Sequence, residues 1–312
     1  MTVFRATLAT EPIYDLAEGI IWDDRAELVR WVDIWKGRVH SSPLVDGRLD
    51  SPTTIEIGQT AGAVALAEDG GLLVAGARAL VAVSPAGELS VGPDLLGERD
   101  QVRFNDGSVD PQGRFVVGTL ALEGNPDDPA TEVLLRVSPD GSVETLRSGV
   151  GLSNGIGFSP AGDLIYHVDT FAGTVSRHSY GEGAFDTSEE WVTVLDGLPA
   201  SPDGLTVDSE GNLWVAQWGG ASVRRHAPSG ELLDVVSVDA EQVSCPGFVG
   251  ADLGILGITS AQEGLTELTD SAGAIFLADV PASGQPAPRW AGSTASPYWA
   301  ASGEPKKEQG AR

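Results

Sequence analysis

Cysteine is all but missing from this chain. The single one, Cys245, excludes an intramolecular disulfide framework and any metal site built on paired cysteines. Beside Pro246, it reads as a small buried or half-buried side chain. Basic residues are scarce as well: 19 Lys and Arg face 45 Asp and Glu, for a net charge of −26. That balance gives no sequence-independent grip on nucleic acid or anionic lipid, so neither nucleic acid nor membrane is expected as a partner. No apolar run approaches the roughly 20 residues that span a bilayer. The opening MTVFRATLATEPIYDL has no basic start followed by an apolar stretch, so no secretory signal is evident and a cytoplasmic location is expected. No GxSxG elbow precedes a helical pattern, which leaves a serine-hydrolase reading without support. No long 3.6-residue period is found either, which argues against helices and for short strands.

Glycine, by contrast, is abundant, at 40 residues, with 41% of the chain apolar. The stretch from Gly151 to Tyr180, GLSNGIGFSPAGDLIYHVDTFAGTVSRHSY, parses as three short strands separated by Pro-Ala-Gly-Asp and Phe-Ala-Gly turns. The same pattern recurs from Ala17, Ala61, Asn105, Pro202 and Pro246. Each copy is anchored by a glycine ahead of an apolar strand: Gly19, Gly62, Gly107, Gly155, Gly204 and Gly247. A spacing of roughly forty to fifty residues is that of propeller blades. The fold class expected is therefore all-β, a six-bladed β-propeller over residues 1–292. Residues Thr2 to Leu16 are expected to supply a strand completing the last blade, which closes the ring without a free edge. Residues 293–312 read as a flexible tail. The polar excursion from Leu122 to Glu132 is a candidate pocket rim, and Trp22, Trp31 and Trp35 are expected to fill space between blades.

Equivalent positions of successive blades are related by rotation about a central axis. The residues just before the anchoring glycines are Glu18, Ala61, Asp106 with Asn105 beside it, Asn154, Asp203 and Pro246. Several oxygen-bearing side chains would converge there with no repeated Lys or Arg to neutralise them, and a bound cation is the simplest compensation. Glu18, Asn154 and Asp203 make an all-oxygen set suited to calcium, magnesium or manganese, with zinc also compatible through its carboxylates. The alternative is local turn chemistry, since Asn and Asp before Gly bond their own backbone. Glu18 has no such preference. His40, His167, His178 and His226 lack the spacing of a metal site and read as packed or surface strand residues. Asp33 and Asp169 read as strand-end hydrogen-bond acceptors.

The series AEGIIWDD, VRFNDGSVDPQGRFVVGT, GLSNGIGFSPAGDLIYHVDT, SPDGLTVDSEGNLWVAQWGG and GADLGILGITSA resembles the SMP-30/gluconolactonase/regucalcin-like family over roughly Glu11 to Gly292. The resemblance implies a six-bladed propeller with one divalent ion on its axis and a sugar-lactone hydrolase activity. It implies Glu18, Asn154 and Asp203 as metal ligands, Arg103 and Asn105 as substrate contacts with Asn105 also near the metal, and Glu123 as an acidic substrate contact. The first motif reads Glu-Gly-Ile where the family usually has Glu-Gly-Pro, which changes backbone stiffness but keeps the ligand.

The expectation is metal-dependent opening of a sugar lactone to the aldonic acid. Asp203 is the expected catalytic base, by analogy with the family and from its position. The cofactor expected is one divalent ion of calcium, zinc, manganese or magnesium. The alternatives are a non-catalytic metal- or ligand-binding propeller and a metal-dependent hydrolase of other esters or phosphoesters. The repeats close within one chain, so a monomer is expected.

Overall fold

The computed structural model describes residues 1–124 and 126–295; of the tail expected over 293–312, the part from 296 lies outside them. Short apolar strands alternate with Gly-containing turns, and the described residues form 25 strands in six sheets. Five sheets have four strands and one has five, each antiparallel apart from a single parallel edge pair. The inner strands, in blade order, are Ala17–Asp23, Val64–Leu66, Val102–Val109, Ser153–Phe158, Ser201–Val207 and Val243–Val249. The architecture is the six-bladed propeller expected from the repeats. No helix among the described residues is long and apolar enough to cross a membrane.

The anchoring glycines have a steric cause. A Cβ on Gly62 would stand 2.0 Å from the Asn105 carbonyl oxygen, and one on Gly247 2.2 Å from that of Ile20. A Cβ on Gly155 would lie 2.7 Å from the Asp203 carbonyl oxygen. Inner strands of neighbouring blades crowd together at the axis, and the missing side chains let their backbones approach.

Apolar side chains from facing blades form the core. Phe104, Phe115 and Val117 of blade three pack on Leu73, Leu80 and Ala82 of blade two, and Trp214 of blade five meets Phe248 and Leu256 of blade six. Trp22 and Trp31 fill the space between blades one and six as expected. Trp35 does not: it is 43% exposed on the upper rim, because it lies in the turn after the second strand of blade one rather than on a packed face.

Both ends of the described chain tie the ring together. Thr7–Leu8 pairs with Phe276–Asp279 as the outermost strand of blade six. Thr2–Arg5 adds in parallel to Leu232–Ser237 of blade five. After the last strand, residues 283–291 cross the underside and bond to every blade. Ser283 and Gly284 pair with Ser209 and Leu253, and Gln285 donates to the carbonyls of Phe158, Val207 and Asp208. Arg289 bonds Asp23 and Asp24, Trp290 pairs with Leu66, and Ala291 donates to Gly113. Thr294 is buried and bonded to Asp69.

Candidate functional site

In five of the six inner strands the pairing to the second strand slips, between Glu18 and Ile21, Phe104 and Gly107, Asn154 and Ile156, Pro202 and Leu205, and Val243 and Pro246. Such bulges bend a strand and re-aim its side chains. Each one here falls at or beside the anchoring glycine, so the side chains just before it turn towards the axis. Blade two pairs without a slip and contributes the apolar Ala61.

Glu18, Arg103, Asn105, Asn154 and Asp203 line one cavity of about 720 Å³ that opens on the upper face. Its walls include Leu16, Ile34, Trp35, Leu122, Pro126, Phe171, Trp218 and Glu263. The expected rim loop thus contributes Leu122, Gly124 and Pro126. Glu123 itself differs: its side chain is exposed and lines a neighbouring groove with Asp100, Asp128 and Glu132. Leu122 lines the cavity, and Gly124 lies between the cavity and that groove.

A second cavity of about 300 Å³ continues the axis below, lined by Ile20, Asp106, Ile156, Leu205, Cys245 and the crossing segment Gln285 to Pro288. Asn105 and Asp106 are neighbours in sequence, yet one faces the upper cavity and the other the lower. Asp106 is a third axial carboxylate, outside the set proposed from the family resemblance. Its signal was its place before Gly107.

Four hydrogen bonds run in one direction through the site. Arg103 Nη1 donates to Asn105 Oδ1 at 2.8 Å, and Asn105 Nδ2 to Asn154 Oδ1 at 2.9 Å. Asn154 Nδ2 donates to Thr170 Oγ1 at 3.0 Å, and the Thr170 hydroxyl to the Pro202 carbonyl at 2.8 Å. Glu18 Oε2 accepts from the Gly19 amide at 2.9 Å.

Burial, then Asp203 and Asp106, push the Glu18 carboxyl well above its ordinary range. Burial, then Asp106 and Glu263, do the same to Asp203, and burial lifts Asp106 to about 6. No Lys or Arg forms an ion pair with any of the three among the described residues. Crowded carboxylates without a counter-charge resist ionisation, and a cation would reverse that. Burial also raises the Cys245 thiol well above normal, with Glu18, Asp106 and Asp203 adding to it, so it is held as a neutral thiol rather than a thiolate.

No cluster of three or more His, Cys, Asp or Glu is placed to hold a metal among the described residues. A cation here would need the Asn154 amide oxygen beside the Glu18 and Asp203 carboxylates, a donor set of hard oxygens. The four histidines are packed elsewhere: His167 and His178 lie in blade four, His40 in blade one and His226 in blade five. Asp169 accepts from the amides of Gly151 and Leu152, and Asp33 from that of Asp15, as strand-end acceptors.

Residues 16–262 match the family described as SMP-30/Gluconolactonase/LRE-like region. The chain is 36% identical over 281 residues to the pentonolactonase XacC of Haloferax volcanii, covering 87% of this chain and 93% of that protein. It is 34% identical over 286 residues to the 6-deoxy-6-sulfogluconolactonase of Pseudomonas putida, covering 89% and 95%. A crystal structure of a calcium-binding protein, regucalcin, from Agrobacterium tumefaciens superposes with a TM-score of 0.83 at 26% identity, covering 93% of this chain and 99% of that one. With its repeats, its propeller and a family match that spans most of its length, the chain belongs to the SMP-30/gluconolactonase/LRE-like family.

Proposed function

We propose that this protein hydrolyses a sugar lactone to the aldonic acid, with a divalent ion held by Glu18, Asn154 and Asp203. The observation that carries the reading is the pair of buried carboxylates, Glu18 and Asp203, without an ion pair to Lys or Arg among the described residues, at the floor of a cavity open to small molecules. The lactonase names of relatives at 34–36% identity support it. The donor set fits a hard or borderline ion: calcium, magnesium, manganese or zinc. Bound there, it would supply Lewis-acid polarisation of the lactone carbonyl.

The chain's own residues do the rest. Burial, Asp106 and Glu263 raise the Asp203 carboxyl, and among the described residues no hydrogen bond is made to it. Asp203 takes the proton from the attacking water as its oxygen bonds to the carbonyl carbon. When the ring C–O bond breaks, that proton passes to the departing ring oxygen and leaves a hydroxy acid. Arg103, whose buried Nε has no acceptor among the described residues, and Asn105 are placed to orient the ring hydroxyls. Glu123, on the neighbouring groove, is an outer contact in this reading.

Base uptake by the protein on a panel of aldonolactones, stripped of metal and then restored with each of the four ions, tests the proposal. Rates that stay at the spontaneous level with every ion and lactone would end it.

A further inference from the structure

We propose that Trp35 and Glu263 form the wall that sets substrate choice, admitting a neutral polyhydroxylated lactone and turning away lactones with an anionic group on the exocyclic carbon. This rests on the lactonase reading and extends it to the class of lactone.

The two residues are 228 positions apart and meet on the upper rim, where Trp35 Nε1 donates to Glu263 Oε2 at 2.7 Å. Both line the cavity that holds Asp203. Trp31, Trp214 and Trp290 are fully buried, whereas Trp35 stands in the open at the mouth. The Arg103 guanidinium lies 5.0 Å from the centre of its ring, so the indole is held between a cation and a carboxylate. The loop carrying Glu263 is itself anchored: the amides of Gln262 and Glu263 donate to the Asp15 carbonyl, and Gln262 Nε2 to the carbonyls of Pro12 and Ala272. A wall fixed from several sides is suited to discrimination, because its parts need not reorganise on binding.

Its chemistry favours one class of ligand. A carboxylate oxygen accepts strongly from a sugar hydroxyl, and an aromatic face covers the apolar C–H side of a ring. Glu263 Oε2 is taken by Trp35, and among the described residues no hydrogen bond is made to Oε1. Arg103 is the one Lys or Arg among the described lining residues; it is only 3% exposed, and its Nε has no acceptor among the described residues. A phosphate or sulfonate on the exocyclic carbon would thus meet the Glu263 carboxylate at the rim with no exposed Lys or Arg among the described lining residues to pair with, the proposed metal ion lying at the floor beside Asp203. Repulsion of the wrong ligand is as effective a source of specificity as attraction of the right one.

A neutral aldonolactam and its 6-phosphorylated counterpart bind without being hydrolysed, and calorimetric titration of the full chain with each reads the wall directly. The neutral lactam is expected to bind at least tenfold more tightly. Glu263→Gln should narrow that ratio about tenfold, and Glu263→Lys should reverse it. Hydrolysis of the two corresponding lactones should follow the same order in kcat/KM. Equal affinity in the wild type, or a ratio unmoved by both substitutions, would overturn the proposal. If neither lactone is hydrolysed while the lactam preference and its loss in Glu263→Gln persist, the wall stands and the hydrolytic reading of the centre falls.

Discussion

Asn105 Nδ2 donates to Asn154 Oδ1 at 2.9 Å, joining the inner strands of blades three and four, and the bonds on either side point the same way. The run begins on a permanently charged guanidinium and ends on the carbonyl of Pro202, next to Asp203. Such a chain fixes which end of each amide carries oxygen, so Asn154 is oriented by Thr170, a residue with no place in the proposed ligand set.

Thr170→Val removes the acceptor for Asn154 Nδ2 and the donor to Pro202 at little cost in volume. Loss of an outer-shell partner typically weakens metal affinity about 10–100-fold, and that is the expected effect here. Thr170→Ser should restore most of it. Titration of chelator-treated protein with calcium or manganese checks both.

Gly62→Ala would press a methyl against the Asn105 carbonyl, 2.0 Å from the ideal Cβ position. Overpacking of this kind costs about 1–3 kcal/mol, and the neighbour here is backbone that cannot rotate aside. The urea midpoint should fall accordingly. Gly183→Ala, where an added Cβ would meet nothing within 4 Å and φ lies outside the left-handed region, is the control for glycine loss without a clash.

Without a cation, Glu18 and Asp203 are held well above the carboxylate range and Asp106 at about 6. A group whose folded pKa is raised stabilises fully below its unfolded value, about 4, and that stability is lost as pH rises through the folded value. Chelated protein therefore loses this contribution as pH rises from about 4, with the Asp106 share gone above about 6 and the Glu18 and Asp203 shares lost at higher pH. Burial lowers His40, His167 and His226, and their contribution runs the other way: present above about 6.5, the ordinary histidine value, and lost on acidification. Added cation should raise the melting temperature more at pH 8 than at pH 5, since protonated carboxyls do not ligate. At a hundredfold excess over Kd the gain is about 2.7 kcal/mol, which is measurable by calorimetry.

The segment that crosses the underside should hold the ring closed. Trp290 is 2% exposed within the core shared by blades two and three. Trp290→Ala should cost about 3–5 kcal/mol, read from denaturant unfolding. Gln285→Ala, which frees the Phe158, Val207 and Asp208 carbonyls, should cost less.

The glycine spacing made six blades legible because close approach at the axis admits almost no other residue. Glu18, Asn154 and Asp203 were legible for the same reason, since each precedes an anchoring glycine and turns inward at a bulge. The bulges left no local trace, so nothing in NDG told that Asn105 would face up and Asp106 down. That Glu123 lines a groove beside the cavity depends on the path of a loop that carries no strand pattern. Trp35 and Glu263 meet only because the loop after the second strand of blade six folds against blade one, a contact across almost the whole chain. The crossing segment, rich in Pro and Gly, carried no strand pattern to announce that it would touch every blade.

The central claim is that Glu18, Asn154 and Asp203 share one divalent ion on which turnover depends. The direct measurement is metal content and lactone hydrolysis of wild type, Asn154→Ala and Asp203→Ala, with folding checked by circular dichroism. One ion per wild-type chain, with metal and turnover lost together in both folded variants, is the predicted result. Variants that keep both the ion and the rate would contradict it.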